Sequence, residues 1–174
     1  EVLAKADTVV FDKTGTLTQN SMTVVDKDVS SENVVMLDVI GALNSTADWT
    51  NGDKVLGNPT EGAILKSIGQ SDTFRLRSRY SVLACIPFSS LKKYMVSHIL
   101  DNETKEESVV IKGAPEVVSR IIGYDEYLPE VSQQQARGRR AISAAVLGSG
   151  GFEDIREKLE RGESLNNCRY IGTW

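Results

Sequence analysis

The sequence predicts an α+β domain, a mostly antiparallel sheet flanked by helices, and two observations carry that prediction. Three runs rich in β-branched and aromatic residues, 80–88, 94–100 and 108–112, follow one another with only short polar turns between them. Strands joined so closely pair antiparallel, because a parallel crossover needs a dozen or more residues. Around them lie segments with apolar residues at three- and four-residue steps behind helix-start signals, as expected for helices laid on a sheet.

The first element is an exception to that plan. Thr8-Val9-Val10-Phe11 has the length and β-branching of a buried strand and ends on Asp12. Gly15 then allows a sharp turn. Asp12 is therefore expected at the carboxyl end of a strand, where open α/β sheets build ligand sites. With Lys13 and the hydroxyl of Thr14 beside it, Asp12 reads as a nucleophile for a phosphoryl group, forming an aspartyl-phosphate. A turn carboxylate is the plainer reading of an isolated Asp-x-x-Gly.

Ser21 to Val29 alternates in part and predicts a strand. Residues 30–33 offer helix caps before an apolar-periodic helix from Val34 to Leu43. Asn44 to Gly57 is polar and rich in Gly, Asn and Asp, so an exposed loop is expected. Asn58-Pro59-Thr60-Glu61 opens a helix running to about Ile68: Asn58 caps, Pro59 takes the first position, and Glu61 sits where a capping-box acid reaches back. A shorter helix follows near Gln70 to Arg77. After the three strands, Pro115 starts a helix through Ile122, with another over Val131 to Gly138. Arg140 to Leu147 reads as a strand, Gly148 to Gly151 as a flexible break, Phe152 to Arg161 as an amphipathic helix, and Cys168 to Thr173 as a closing strand.

Composition narrows the function classes. With 174 residues, one domain of ordinary size is expected, and 40% hydrophobic with 25% charged residues is globular. A net charge of −4 excludes a general nucleic-acid binder, which needs a basic surface. An anionic ligand must then find a local basic cluster. Cys85 and Cys168 have no metal-binding spacing and read as free, buried thiols of a reducing compartment. The single histidine, His98, lies in a strand-like run and reads as structural. No signal peptide opens the chain, and no run of about 18 apolar residues suggests a transmembrane helix.

A second constellation lies in the middle of the chain. Phe88 stands at a strand end, followed by Lys92 and Lys93, an arrangement that can stack a base and neutralise phosphate. Lys112-Gly113-Ala114-Pro115 joins a strand to a helix whose amino terminus favours an anion, with Gly113 letting a ligand approach the backbone. Taken alone, Phe88 reads more readily as a core residue and Lys92-Lys93 as a solvated turn, and Gly113 and Pro115 equally serve an ordinary strand-to-helix connection.

Together the strings resemble the P-type ATPases, the ion pumps that carry their phosphate on an Asp. Residues 12–18, Asp-Lys-Thr-Gly-Thr-Leu-Thr, match the phosphorylation motif. Phe88-Ser89, Lys93 and Met95, with Lys112-Gly113-Ala114-Pro115-Glu116, resemble the nucleotide-binding domain of the type II group of Ca²⁺ and Na⁺/K⁺ pumps. The resemblance implies that Phe88 stacks on adenine, with Lys93, Lys112, Gly113 and Ala114 lining the pocket and Glu61 facing the adenine amino group. It also implies a phosphate contact from Arg140, preferred over Arg139. One phosphate-binding Arg known in some calcium pumps is Ser90 here. ATP and Mg²⁺ are the implied cofactors, with Mg²⁺ held by the Asp12 carboxylate and the Thr14 main-chain oxygen, oxygen donors that suit a hard cation.

By the same resemblance, residues 1–22 are a stub of the phosphorylation domain, which has a haloacid dehalogenase-like fold, and residues 23–174 are the nucleotide-binding domain. The implied partners are ATP and the remainder of the pump: phosphorylation, actuator and transmembrane domains. The family's further motifs, a Thr-Gly-Asp segment and a Gly-Asp-Gly-x-Asn-Asp loop, do not occur in residues 19–174. The chain is therefore expected to be a soluble, monomeric, cytoplasmic piece of a membrane pump, binding nucleotide with almost no hydrolysis of its own. Two alternatives stand beside it. A haloacid dehalogenase-type phosphatase with a cap domain would want an acid where Thr14 stands. A non-enzymatic regulatory module would keep the fold without binding nucleotide.

Overall fold

The computed structural model describes residues 7–12, 21–50, 52, 54–148 and 151–174. Lys13, Thr14 and Gly15 of the phosphorylation motif lie outside the described residues, as do Ser149 and Gly150 of the glycine-rich break. In chain order the elements are β1 (Asp28–Val29), α1 (Val34–Leu43), β2 (Asp48–Trp49), β3 (Val55–Leu56), α2 (Pro59–Ile68), α3 (Gln70–Arg79), β4 (Tyr80–Ile86) and β5 (Tyr94–Asp101). There follow β6 (Glu107–Gly113), α4 (Pro115–Ile122), α5 (Leu128–Ala136), β7 (Ser143–Leu147), α6 (Phe152–Glu160) and β8 (Arg169–Thr173).

Six strands form one sheet in the order β1-β8-β7-β6-β5-β4, every neighbouring pair antiparallel. The expected α+β architecture is therefore the observed one. Period-2 alternation sends successive side chains to opposite faces. One face packs Val96, Val109, Ile111, Ala145 and Leu147 against α4 and α6, through Val118, Ile121, Phe152 and Ile155. The other packs Ile99, Val110, Ala144 and Ile171 against α1, α2 and α3, through Leu37, Ile40, Ile64, Ile68 and Leu76. Because both faces are covered, β5 and β6 are buried almost throughout.

Local chemistry sets the ends of the elements. The Asn58 side chain accepts from the Thr60 amide at 2.9 Å, capping α2, and Pro59 occupies its first turn. At the β5–β6 turn, Asp101 Oδ1 accepts from the Glu103 amide at 2.9 Å, while the Arg79 guanidinium reaches Asp101 Oδ2 at 2.7 Å. That guanidinium holds the Asp101 carboxyl well below the usual carboxylate range.

Several expectations are corrected. Residues 8–11 form no strand, and Val9, Val10 and Phe11 are exposed, Val10 at 90%. A buried strand needs neighbours, and among the described residues none pairs with it. Of the strand expected over 21–29, only Asp28 and Val29 pair, with Thr173 and Gly172. Asn33 precedes α1, but its side chain makes no cap bond and accepts instead from Arg169.

Segment 44–57 is not simply an exposed loop. Asn44 is fully buried, donating to the Met95 carbonyl at 2.9 Å and accepting from Ser97 Oγ at 3.0 Å, and β2 and β3 form a small hairpin. The paired polar groups of β5 offset the cost of burying the amide. The strand expected from Arg140 begins only at Ser143, because residues 139–141 leave the sheet to line a cavity. Both thiols are free, but Cys85 is exposed on the edge strand β4, and Cys168 is only half-buried, packed against the edge of the core on the α4 and α6 face. His98 is structural: Nε2 lies 2.7 Å from Glu107 Oε2 and the ring stacks on Phe152 at 5.7 Å.

Candidate functional site

The end of β6 and the starts of α2 and α4 contribute to the lining of a cavity of about 720 Å³, within the usual range for small-molecule sites. Glu61, Phe88, Lys93, Lys112, Gly113, Ala114 and Arg140 all line it. Four cations (Lys93, Lys112, Arg139, Arg140) face two carboxylates (Glu61, Glu116) around this one cavity. An acidic chain thus carries a local basic cluster, the condition set above for an anionic ligand.

Each residue arrives there for a separate reason. Lys112 and Gly113 are the last residues of β6 and Ala114 precedes α4, so antiparallel pairing with β5 fixes their height. Phe88 follows the end of β4 in the connection to β5, and the residue is 54% exposed. An aromatic of that size is normally drawn into a core, so an exposed ring on a cavity wall is available for stacking. Lys93 closes the same connection with φ 59°, its amide donating to the Ser89 carbonyl at 2.7 Å, and its ammonium lies 3.6 Å from the exposed Glu116. Lys92 sits in the turn before it and is not a lining residue.

Glu61 and Lys112 form a buried pair at the base of the cavity, Lys112 Nζ donating to Glu61 Oε1 at 2.9 Å. The other carboxylate oxygen, Oε2, accepts from the Thr46 amide at 2.8 Å and from Thr46 Oγ1 at 2.6 Å. Burial alone would raise the Glu61 carboxyl; the Lys112 charge and the Thr46 donors outweigh it and hold it below its ordinary value. Burial likewise pulls the Lys112 ammonium down, against the attraction of Glu61. Glu61 therefore does not reach back as a capping-box acid; its carboxylate is turned into the cavity.

Gly113 has a different reason from the one expected. A Cβ there would stand 2.6 Å from the Lys93 carbonyl oxygen and 2.8 Å from Tyr94 Cβ, so the glycine admits β5 rather than a ligand. The closeness is used, since the Ala114 amide donates to that carbonyl at 3.0 Å. Below the floor, Tyr127 Oη donates to the Pro115 carbonyl at 2.9 Å, tying α4 to α5.

Both arginines of the doublet reach the cavity. Arg140 Nη1 donates to Thr60 Oγ1 at 2.8 Å, whereas Arg139 Nη1 donates to Gln134 Oε1 at 2.7 Å. Neither has a carboxylate within 4 Å among the described residues, so both guanidinium charges are available to an anion. Thr46 and Thr60 had no sequence signal for their roles, since each acts through a hydroxyl on a partner 15 or 80 residues away.

Asp12 is described and exposed, separate from the lining residues of the cavity. Among the described residues there is no cluster of three His, Cys, Asp or Glu able to hold a metal. No described helix is long and apolar enough to cross a membrane.

Comparison with known proteins assigns the chain to one family. Residues 33–121, just over half of the chain, match the family model described as P-type ATPase, cytoplasmic domain N. The calcium-transporting ATPase of Bacillus subtilis is 33% identical over 84% of this chain and 20% of its own length. The sodium/potassium-transporting ATPase subunit alpha of Drosophila melanogaster is 32% identical over 99% of this chain and 21% of its own. Subunit alpha-4 of the human sodium/potassium-transporting ATPase is 33% identical over 67% and 14%. The chain thus spans a fifth or less of most of these relatives, and it belongs to the P-type ATPase family, of which it carries the cytoplasmic domain N.

Proposed function

We propose that this chain is the ATP-binding part of a cation-transporting pump, with residues 23–174 as the nucleotide-binding domain and residues 1–22 as a stub of the phosphorylation domain. The observation that carries the reading is the single cavity lined by Phe88, Lys93, Lys112, Gly113, Ala114, Glu61 and Arg140, with its positive balance in an acidic chain. The exposed Phe88 ring takes the adenine face. Glu61, held charged by Lys112 and Thr46, accepts from an amino group of the base. Lys93 and Arg140 neutralise phosphate at the mouth.

In the whole pump the terminal phosphoryl group passes to the Asp12 carboxylate. The bond from the γ-phosphorus to the bridging oxygen breaks, ADP leaves with its electron pair, and an acyl-phosphate forms on Asp12. Asp12 is not among the residues that line the cavity, so transfer requires the bound nucleotide and Asp12 to be brought together. Positioning supplies much of the rate in such reactions. Lys13 steadies the incoming phosphate. Mg²⁺ suits the oxygen donors of Asp12 and Thr14, and when bound it neutralises charge on the phosphates. The remaining pump domains, the membrane location and the transported cation belong to the same proposal, drawn from relatives whose names specify calcium or sodium and potassium transport.

The test is calorimetric titration of the chain with ATP, alongside a malachite-green assay for released phosphate. Saturable binding, weakened in Phe88→Ala, with no sustained release of phosphate is the expected result. Steady ATP hydrolysis abolished by Asp12→Ala would overturn the division of labour, and hydrolysis of a generic phosphomonoester would favour the phosphatase reading.

A further inference from the structure

A second cavity of about 530 Å³ adjoins the first, and the two share a wall that includes Thr60, Ile64, Arg139 and Arg140. On its far side lie Met22 to Asp28, the segment that leads back toward Asp12. Within the shared wall one hydroxyl makes two contacts. Thr60 Oγ1 accepts from Arg140 Nη1 at 2.8 Å and lies 3.4 Å from Met22 Sδ, to which it can donate its only proton. A hydroxyl with its proton directed to the thioether presents its lone pairs to the guanidinium. Thr60 is itself held rigidly, being in the first turn of α2 with its amide bonded to the Asn58 cap.

Arg140 needs such a hold. It follows the end of α5 and precedes β7 in an irregular stretch, is exposed, and has no carboxylate partner among the described residues. A free arginine side chain loses rotamer entropy when it binds phosphate, which lowers the affinity gained. A guanidinium already tethered by one donor, with its remaining N–H groups free, has lost part of that freedom beforehand.

We infer that Thr60 is a positioning residue that sets the Arg140 guanidinium at the mouth of the nucleotide cavity, with the Met22 thioether orienting the Thr60 hydroxyl. This rests on the nucleotide reading of the preceding subsection. It adds that the segment joining Asp12 to the domain touches the phosphate end of the site through two side-chain contacts.

The inference separates from a merely structural role because it acts on phosphate and not on the base. The experiment titrates the chain with ATP and with adenosine, for wild type, Thr60→Val, Thr60→Ser, Arg140→Gln and the double variant Thr60→Val/Arg140→Gln. Thr60→Val keeps the side-chain shape and removes the hydroxyl. It is expected to weaken ATP by about threefold to tenfold, the scale of one hydrogen bond, with adenosine affinity unchanged. Thr60→Ser is expected to restore ATP binding, and in the Arg140→Gln background Thr60→Val is expected to add nothing further. Equal losses for ATP and adenosine, no loss at all, or additive losses in the double variant would overturn the inference while leaving the nucleotide site standing. A wild-type chain that binds neither compound would overturn both. Thermal melts of each variant identify a misfolded one, and the Arg140→Gln cycle, made on an exposed side chain, still decides the question through its ATP-to-adenosine ratio.

Discussion

Replacing Glu61 by Leu is expected to cost the domain more stability than replacing its partner Lys112 by Met. Only 6% of the Lys112 side chain is exposed, and its ammonium donates to Glu61 at 2.9 Å. Glu61→Leu leaves that ammonium buried without an acceptor and orphans the two Thr46 donors. Removing one member of a buried pair costs about 3–5 kcal/mol. Lys112→Met keeps the volume and leaves the carboxylate with two donors from Thr46, each charge-assisted bond contributing about 1.5–3 kcal/mol. Its cost should therefore stay near 1–3 kcal/mol by the same reasoning. The double variant buries two apolar side chains where the pair stood, and should fall within about 2 kcal/mol of wild type, well short of the sum of the singles. Urea denaturation at pH 7 reads all three. With a slope of about 2 kcal/mol/M, the Glu61→Leu midpoint moves down by about 2 M. Equal costs for the two single variants, or a double variant equal to their sum, would refute a buried and mutually dependent pair.

Other outcomes follow from the same geometry. Phe88→Ala should leave stability within about 0.5 kcal/mol, because the ring is exposed, yet weaken adenine nucleotides by about 1–3 kcal/mol; melts and calorimetry on one sample check both. Asn44→Leu should cost about 1–3 kcal/mol or more in urea, since the Met95 carbonyl and Ser97 hydroxyl lose their buried partner. Gly113→Ala drives a Cβ to 2.6 Å from backbone oxygen, so it should destabilise by about 1–3 kcal/mol and disturb the Lys112–Ala114 floor, read as a shifted amide resonance for Ala114. Acid should destabilise the domain. The Glu61 and Asp101 carboxyls lie below their ordinary values when folded, so the unfolded chain binds more protons in acid. Their contribution is present above the ordinary carboxylate range and is lost as pH falls below it; Asp101→Asn should flatten that slope in pH-dependent melts.

Much of this arrangement was legible in the sequence, and the parts that were not share a physical cause. The α2 start was readable because Asn58 and Pro59 act on their own helix. The order β4, β5, β6 was readable because alternation and short turns are local. What stayed hidden depends on distant partners. Thr8 to Phe11 has the composition of a buried strand, but burial needs neighbours that this chain does not provide among its described residues. Asn44 reads as a loop residue until β5 supplies its partners. Glu61 carries the spacing of a capping acid, and only the packing of α2 beside β6 turns it to Lys112. Gly113 was read for ligand access, whereas its space is filled by the next strand. The seven residues that family resemblance implied for the nucleotide do line one cavity, but Thr46 and Thr60, which hold two of them, left no mark at the level of spacing.

The central claim, that this cavity takes ATP, is tested most directly by amide chemical-shift mapping of the chain during an ATP titration. The account predicts saturable shifts at Phe88, Lys93, Lys112, Gly113, Ala114 and Arg140, with the far face around α6 unmoved. Saturable shifts centred elsewhere, or none at millimolar ATP, would contradict it.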